Sequence, residues 1–109
     1  MKILRFIIEK QSIRQDPNCD SSDLIPGTRD DIIAEFSFPS EWNGFAKVAA
    51  FYSPLGTEYE PQILTNKNRC VIPSEALAKR SFKVQIIGKK NDITIRTNKT
   101  IVYQNGGKT

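Results

Sequence analysis

Apolar and polar positions alternate with a period of two along most of this chain. In Ile32-Ile33-Ala34-Glu35-Phe36-Ser37-Phe38, the residues Ile32, Ala34, Phe36 and Phe38 share one face, and Ile33, Glu35 and Ser37 share the other. Successive side chains of a strand point to opposite faces, so this segment reads as a half-buried strand. Phe82, Val84 and Ile86 alternate with Lys83, Gln85 and Ile87 in the same way, and Ile93 and Ile95 with Thr94 and Arg96. The stretch from Phe45 to Tyr52 is apolar on both faces except for Lys47, the mark of a central strand. Near the N-terminus, Leu4, Phe6 and Ile8 make one apolar face, while Ile3 and Ile7 flank Arg5 on the other. Ile3 and Ile7 are either covered within the domain, which is the preferred reading, or offered to a partner from an edge strand.

The punctuation suits short β-connections. Asn43-Gly44 follows Trp42 and predicts a hairpin between two strands. Asn66-Lys67-Asn68 precedes a short strand from Arg69 to Ile72, Gly88-Lys89-Lys90-Asn91-Asp92 joins two more, and Asn98-Lys99 breaks the chain before Thr100 to Tyr103. One helical turn is expected at 74–79, with Ser74 as its cap and Glu75 in its first turn. Residues 15–30 read as a long polar loop and 104–109 as a loose tail. Seven or eight short strands and no longer helical repeat predict an all-β fold, an antiparallel β-sandwich of Ig-like size, as one domain over 1–109. The expected core is Leu4, Phe6, Ile8, Ile32, Ala34, Phe36, Val48, Ala50, Phe82, Val84, Ile86, Ile93 and Ile95.

Composition changes this picture little, but charge adds to it. The apolar fraction of 39% and charged fraction of 26% are ordinary for a globular chain. No apolar stretch is long enough to span a membrane, and the N-terminal segment reads as a strand and not as a signal peptide. Residues 1–60 carry six Lys/Arg against ten Asp/Glu, net −4, and residues 61–109 carry ten against two, net +8, summing to the +4 of the whole chain. If the halves segregate in space, Lys83, Lys89, Lys90, Arg96 and Lys99 form a basic pole, and Asp16, Asp20, Asp23, Asp30 and Asp31 an acidic one. Complementary poles would favour head-to-tail contact or docking on an acidic partner.

Candidate chemistry is sparse. The chain has no histidine, which removes Ser–His and Cys–His nucleophile pairs and any histidine-bearing metal site. Asp16, Asn18 and Asp20 match the first ligand positions of a calcium loop. However, Ser21 stands where its glycine belongs and Gly27 where its bidentate glutamate belongs, so a solvated loop is expected and no metal. Asp30-Asp31, Glu58 and Glu60 could act as acid and base only inside a pocket, and no feature of the sequence places them in one. Cys19 sits in the polar loop and Cys70 in a strand, and reduced thiols are the expectation for both. The basic set Lys67, Arg69, Lys79, Arg80, Lys83, Lys89, Lys90, Arg96 and Lys99 could contact phosphates. Phe82 and Tyr103 are expected to point inward, so the stacking aromatics of a nucleic-acid face are missing and a solvated or protein-docking face is preferred. Trp42 is expected to close the core, with an exposed anchor as the alternative.

One larger pattern runs through residues 32–103. A strand leads into Trp42-x-Gly44, then Lys47-x-Ala49-x-Phe51, Tyr59, Cys70-x-Ile72-Pro73-x-Glu75-x-Leu77, Phe82-x-Val84, Gly88 and Ile95-x-Thr97-Asn98. This order resembles a small β-domain of structural proteins of tailed phages of Gram-positive bacteria, where it occurs alone or as the N-terminal module of baseplate, tail-fibre and head-fibre proteins. The matching residues are folding signals, so the resemblance implies fold and setting more than any site. It has no counterpart for the loop from Asp16 to Thr28, and anchors of this kind often continue into a fibre, whereas Thr109 ends this sequence. The resemblance implies a stand-alone, non-enzymatic virion accessory protein, made in the host cytoplasm and assembled on a capsid or tail/baseplate protein, without cofactor, with a homo-oligomer as a further option. Its partner-binding residues are expected among Lys83, Lys89, Lys90, Arg96, Lys99, Ile3 and Ile7. The alternatives are a small phage inhibitor of a host defence protein and a nucleic-acid-binding module.

Overall fold

Nine strands and two short helical turns make up the computed structural model, which describes residues 2–17, 32–65 and 67–104. In chain order they are β1 (Lys2–Glu9), β2 (Ser12–Gln15), β3 (Ile32–Ser37), a 3-10 turn (Ser40–Trp42), β4 (Ala46–Tyr52), β5 (Gln62–Ile63), β6 (Arg69–Val71), α1 (Ser74–Leu77), β7 (Ser81–Lys90), β8 (Ile93–Arg96) and β9 (Thr100–Tyr103). The fold is all-β. A first sheet runs β2-β1-β3-β6, and a second runs β5-β4-β7-β8, with β9 also paired to β7.

The inner faces are those that the alternation marks. Leu4, Phe6, Ile8, Ile13, Ile32, Ala34, Phe36 and Cys70 of the first sheet meet Ala49, Phe51, Phe82, Val84, Ile86 and Val102 of the second in one buried cluster. Removing a ring such as that of Phe82, fully buried there, costs about 3–5 kcal/mol in a packed core. Three core expectations change. Val48 is only half-buried, Ile95 packs at the margin, and Ile93 is 55% exposed because it lies beside the hairpin tip, opposite Lys90. Ala50 is buried, as expected, but it pairs with Gln85 on the outer side of the second sheet and not in the main core.

Strand pairing is antiparallel throughout except between β1 and β3, which run parallel with Leu4 opposite Ala34 and Phe6 opposite Phe36. Alternation fixes which face is buried but carries no information on pairing direction. The β1–β2 hairpin turns at Lys10-Gln11, with Lys10 at φ 55°. No asparagine or glycine announces that turn, and β2 ends at Gln15, the first residue of the expected loop. β1 is thereby flanked on both sides and is not an edge strand.

Local chemistry also departs from expectation at Asn43-Gly44. Asn43 has φ −61° and ψ 135°, Gly44 has φ 83°, and the Phe45 N–H donates to the Trp42 carbonyl at 3.2 Å. Those angles are a type II turn, which carries the chain from the first sheet to the second and joins no hairpin. An asparagine does mark the β7–β8 hairpin, which turns at Asn91-Asp92 with Asn91 at φ 53°, so Gly88, Lys89 and Lys90 belong to the strand. Ser74 is the first helical residue, not the cap. Pro73 occupies that position, and the Ser74 hydroxyl donates to its neighbour Glu75. Gln104 is no loose tail: it is 2% exposed, and its amide donates to the carbonyls of Leu77, at 3.0 Å, and Lys79.

The margins of the sandwich are stitched by side chains. Thr97-Asn98-Lys99 form a bulge between β8 and β9 along one edge of β7. The Asn98 side-chain oxygen accepts the Ile13 N–H at 2.8 Å, and the Asn98 N–H donates to the Gln11 carbonyl, so the bulge ties the second sheet to β2 of the first. On the other margin the Leu64 N–H donates to the Lys47 carbonyl of β4, and the Thr65 N–H donates to the Arg69 carbonyl, linking the residues after β5 to β6 of the first sheet.

Candidate docking face

The five strands of the second sheet contain Lys47, Lys83, Lys89, Lys90 and Arg96 and no aspartate or glutamate. The inward set on β7 is Phe82, Val84, Ile86 and Gly88, so Lys83, Gln85, Ile87 and Lys89 face outward. Register adds their neighbours. Tyr52 and Ile101 flank Lys83, Ala50 pairs with Gln85, Val48 and Arg96 flank Ile87, Tyr103 pairs with Ser81, and Ile63 pairs with Val48. The result is one outer face mixing basic and apolar groups, with Ile63 79%, Ile101 44% and Tyr103 36% exposed.

Its centre is a hydrogen-bonded relay. The Tyr52 hydroxyl donates to Gln85 Oε1 at 2.9 Å, Gln85 Nε2 donates to the Thr97 carbonyl at 2.7 Å, and the Ile86 N–H donates to Thr97 Oγ1 at 3.0 Å. This fixes the bulge so that Lys99 Nζ lies 4.0 Å above the Tyr52 ring, a cation–π contact. Burial pushes the Tyr52 phenol above its ordinary range, the nearby Glu58 charge adds to that shift, and Arg96 opposes it.

The structure divides the residues expected to bind a partner. Lys83, Lys89, Arg96 and Lys99 share this outer face. Lys90 has the opposite phase on β7, pairs with Ile93, and places its ammonium 5.7 Å from the Phe45 ring centroid. Ile3 and Ile7 lie half-exposed on the outer face of the first sheet, the far side of the sandwich. There a row Ile3–Ile33–Val71 crosses three strands, next to a row Arg5–Glu35–Arg69. Arg69 donates to Glu35 at 2.6 Å and Arg5 at 3.2 Å, which makes Arg69 a structural partner and not part of a basic patch. No single partner surface can therefore use the lysines together with Ile3 and Ile7.

Tyr103 corrects the expectation of an inward side chain. Thr100-Ile101-Val102-Tyr103 has no clear alternation, and it is the pairing of Val102 with buried Phe82 that sets the phase. Ile63 and Ile101 were equally hidden, since their exposure follows from register. Trp42, by contrast, is 1% exposed and packs in the core.

Of the acidic pole, Asp20, Asp23, Asp30 and Asp31 lie outside the described residues, as do Asn18 and Cys19; the Asp16 N–H donates to the Arg5 carbonyl. Glu58 and Glu60 are exposed, and among the described residues no three His, Cys, Asp or Glu side chains come together as a metal site. Among them, too, no helix is long and apolar enough to cross a membrane. No protein-family model matches the chain, and no curated protein matches it.

Proposed function

We propose that this chain is a non-enzymatic accessory protein of a phage virion, docking through the outer face of its second sheet on an acidic surface of a capsid or tail/baseplate protein. One observation carries the docking: the outer face gathers Lys83, Lys89, Arg96 and Lys99, the strands of that sheet hold no acidic residue, and Ile63, Ile101 and Tyr103 are exposed among the cations. Cations speed and orient encounter with an acidic surface, and exposed apolar and aromatic groups supply contact area once docked. The virion setting rests on the resemblance across residues 32–103. Mass spectrometry of purified particles tests it: a structural role requires this chain at many copies. Absence from particles, with expression early in infection, would favour an inhibitor of a host defence protein instead.

The outward Tyr103 beside a basic strand favours one second reading, a nucleic-acid module. Single-strand binders stack successive bases on successive aromatic rings. Here Tyr52 is 8% exposed beneath Lys99, which leaves Tyr103 as the exposed ring of this face. A gel shift that persists at about 0.15 M salt would favour the nucleic-acid reading, since purely electrostatic binding weakens steeply with salt.

A further inference from the structure

Beside the docking face lies a half-open cleft of about 310 Å³, lined by Phe45, Ala46, Lys47, Ile63, Leu64, Thr65 and Asn68. Lys47 has the inward phase of β4, opposite Gly88 and two residues before buried Ala49. Lys47 is half-buried as a residue, and its ammonium donates to the Phe45 carbonyl at 3.2 Å and lies 5.1 Å from the Phe38 ring centroid. An ammonium has three donor positions, and among the described residues no carboxylate reaches this one. Placing a cation at the margin between two sheets without an anion is costly, and a lysine that only covered the end of the sandwich would extend its head into water. Thr65 and Asn68 bring a hydroxyl and a carboxamide to the same cleft, and Phe45, Ile63 and Leu64 bring apolar walls.

We infer that this cleft is a carboxylate-binding subsite, with Lys47 as the cation and Asn68 as a further donor, and that it receives an acidic side chain of the docking partner. Ala46, which lines it, pairs with Lys89 of the docking face, so one acidic surface can reach both. The identity of the occupant rests on the docking reading; the carboxylate chemistry does not.

Nitrogen-15 NMR titration of the whole chain with 3-phenylpropionate, at about 0.15 M salt, tests it without any partner. Saturable shifts of the Lys47, Thr65 and Asn68 amides are expected, with no matching response to 3-phenylpropionamide. Lys47→Arg should keep the response and Lys47→Met should weaken it at least about tenfold, the scale of one lost charge-assisted hydrogen bond. Should Lys47→Met fail to fold, Asn68→Gly retains the positive φ of 57° while removing the carboxamide, and should weaken binding severalfold. Equal shifts with acid and amide, or a full response in Lys47→Met, would overturn the subsite and leave only an apolar cleft. A carboxylate response in a chain absent from particles would keep the subsite and sink the virion reading, so the two fail separately.

Discussion

The ring of Trp42 lies against the bare Cα of Gly88: a Cβ built on Gly88 would stand 2.8 Å from Trp42 Cζ3. Neither side can easily give way. The Trp42 indole N–H donates to the Lys10 carbonyl at 2.6 Å, and Phe38 and Phe45 lie 5.3 and 6.3 Å from the ring, centroid to centroid. One indole thus ties the β1–β2 turn, the crossover between sheets and the far half of β7.

Gly88→Ala should therefore destabilise the fold by about 1–3 kcal/mol, the usual cost of forcing a methyl into a packed site. At about 4–8 °C per kcal/mol for a domain of this size, the loss is readily measured by calorimetry. Trp42 fluorescence should shift red as the ring is displaced. An unchanged melting temperature would mean that the ring accommodates the methyl freely.

That pair shows what the sequence conveyed and what it did not. Trp42 and Gly88 both stand in the recognised pattern, but nothing in it says that they touch. Phe82, Val84 and Ile86 were legible because each alternates with a polar or outward neighbour. Tyr103 was not, because Ile101 and Val102 are apolar on both phases. Ala50 was legible as buried but not as an outer-face residue, since β4 is apolar on both sides. The β1–β3 parallel pair and the turn at Lys10-Gln11 have no local signature. The candidate face was half legible: its lysines were on view, while the separation of Lys90, Ile3 and Ile7 from them depends on register.

Cys70 is 7% exposed and burial pushes its thiol up to about 12. A raised folded-state pKa gives stability that is present below the ordinary value of 9.0 and is lost as pH rises through the folded value. Tyr52 shifts in the same direction, chiefly by burial. The melting temperature should fall above about pH 9, and less steeply in Cys70→Ala than in the parent, whatever the variant's starting stability. In a Cys19→Ser background, Cys70 should resist a thiol reagent at pH 8 and react on unfolding, because the thiolate is the nucleophile. Rapid native labelling would contradict the burial.

Glu35 sits between Arg69 and Arg5, and the Arg69 hydrogen bond is the main reason its carboxyl titrates below the ordinary 4.5. A lowered folded-state pKa gives stability that is present above the unfolded value and lost as pH falls through the folded one. Glu35→Gln should flatten the acid side of the stability curve below about pH 4.5 and cost about 1 kcal/mol or less at pH 7, since the row lies on the surface. Arg69→Met should change that slope more than Arg5→Met. Equal effects would mean that the two arginines hold the carboxylate alike.

Charge reversal separates the docking face from the rest of the basic surface. Lys89 and Arg96 are exposed on the outer side of the second sheet, while Lys90, one residue along, has the opposite phase. Lys89→Glu with Arg96→Glu changes the face by four charges without touching the core. Incorporation into particles should drop at least about tenfold, because like charges across an interface cost several kcal/mol. The melting temperature should move by no more than a few degrees, as expected for exposed sites. Lys90→Glu alone, and Lys79→Glu outside the strands of this sheet, should incorporate nearly normally. Parent incorporation should also weaken with added salt, since the screening length shortens to about 10 Å at 0.1 M. Normal incorporation of the double reversal would rule out this face, and a loss for Lys79→Glu of equal size would show that only net charge matters.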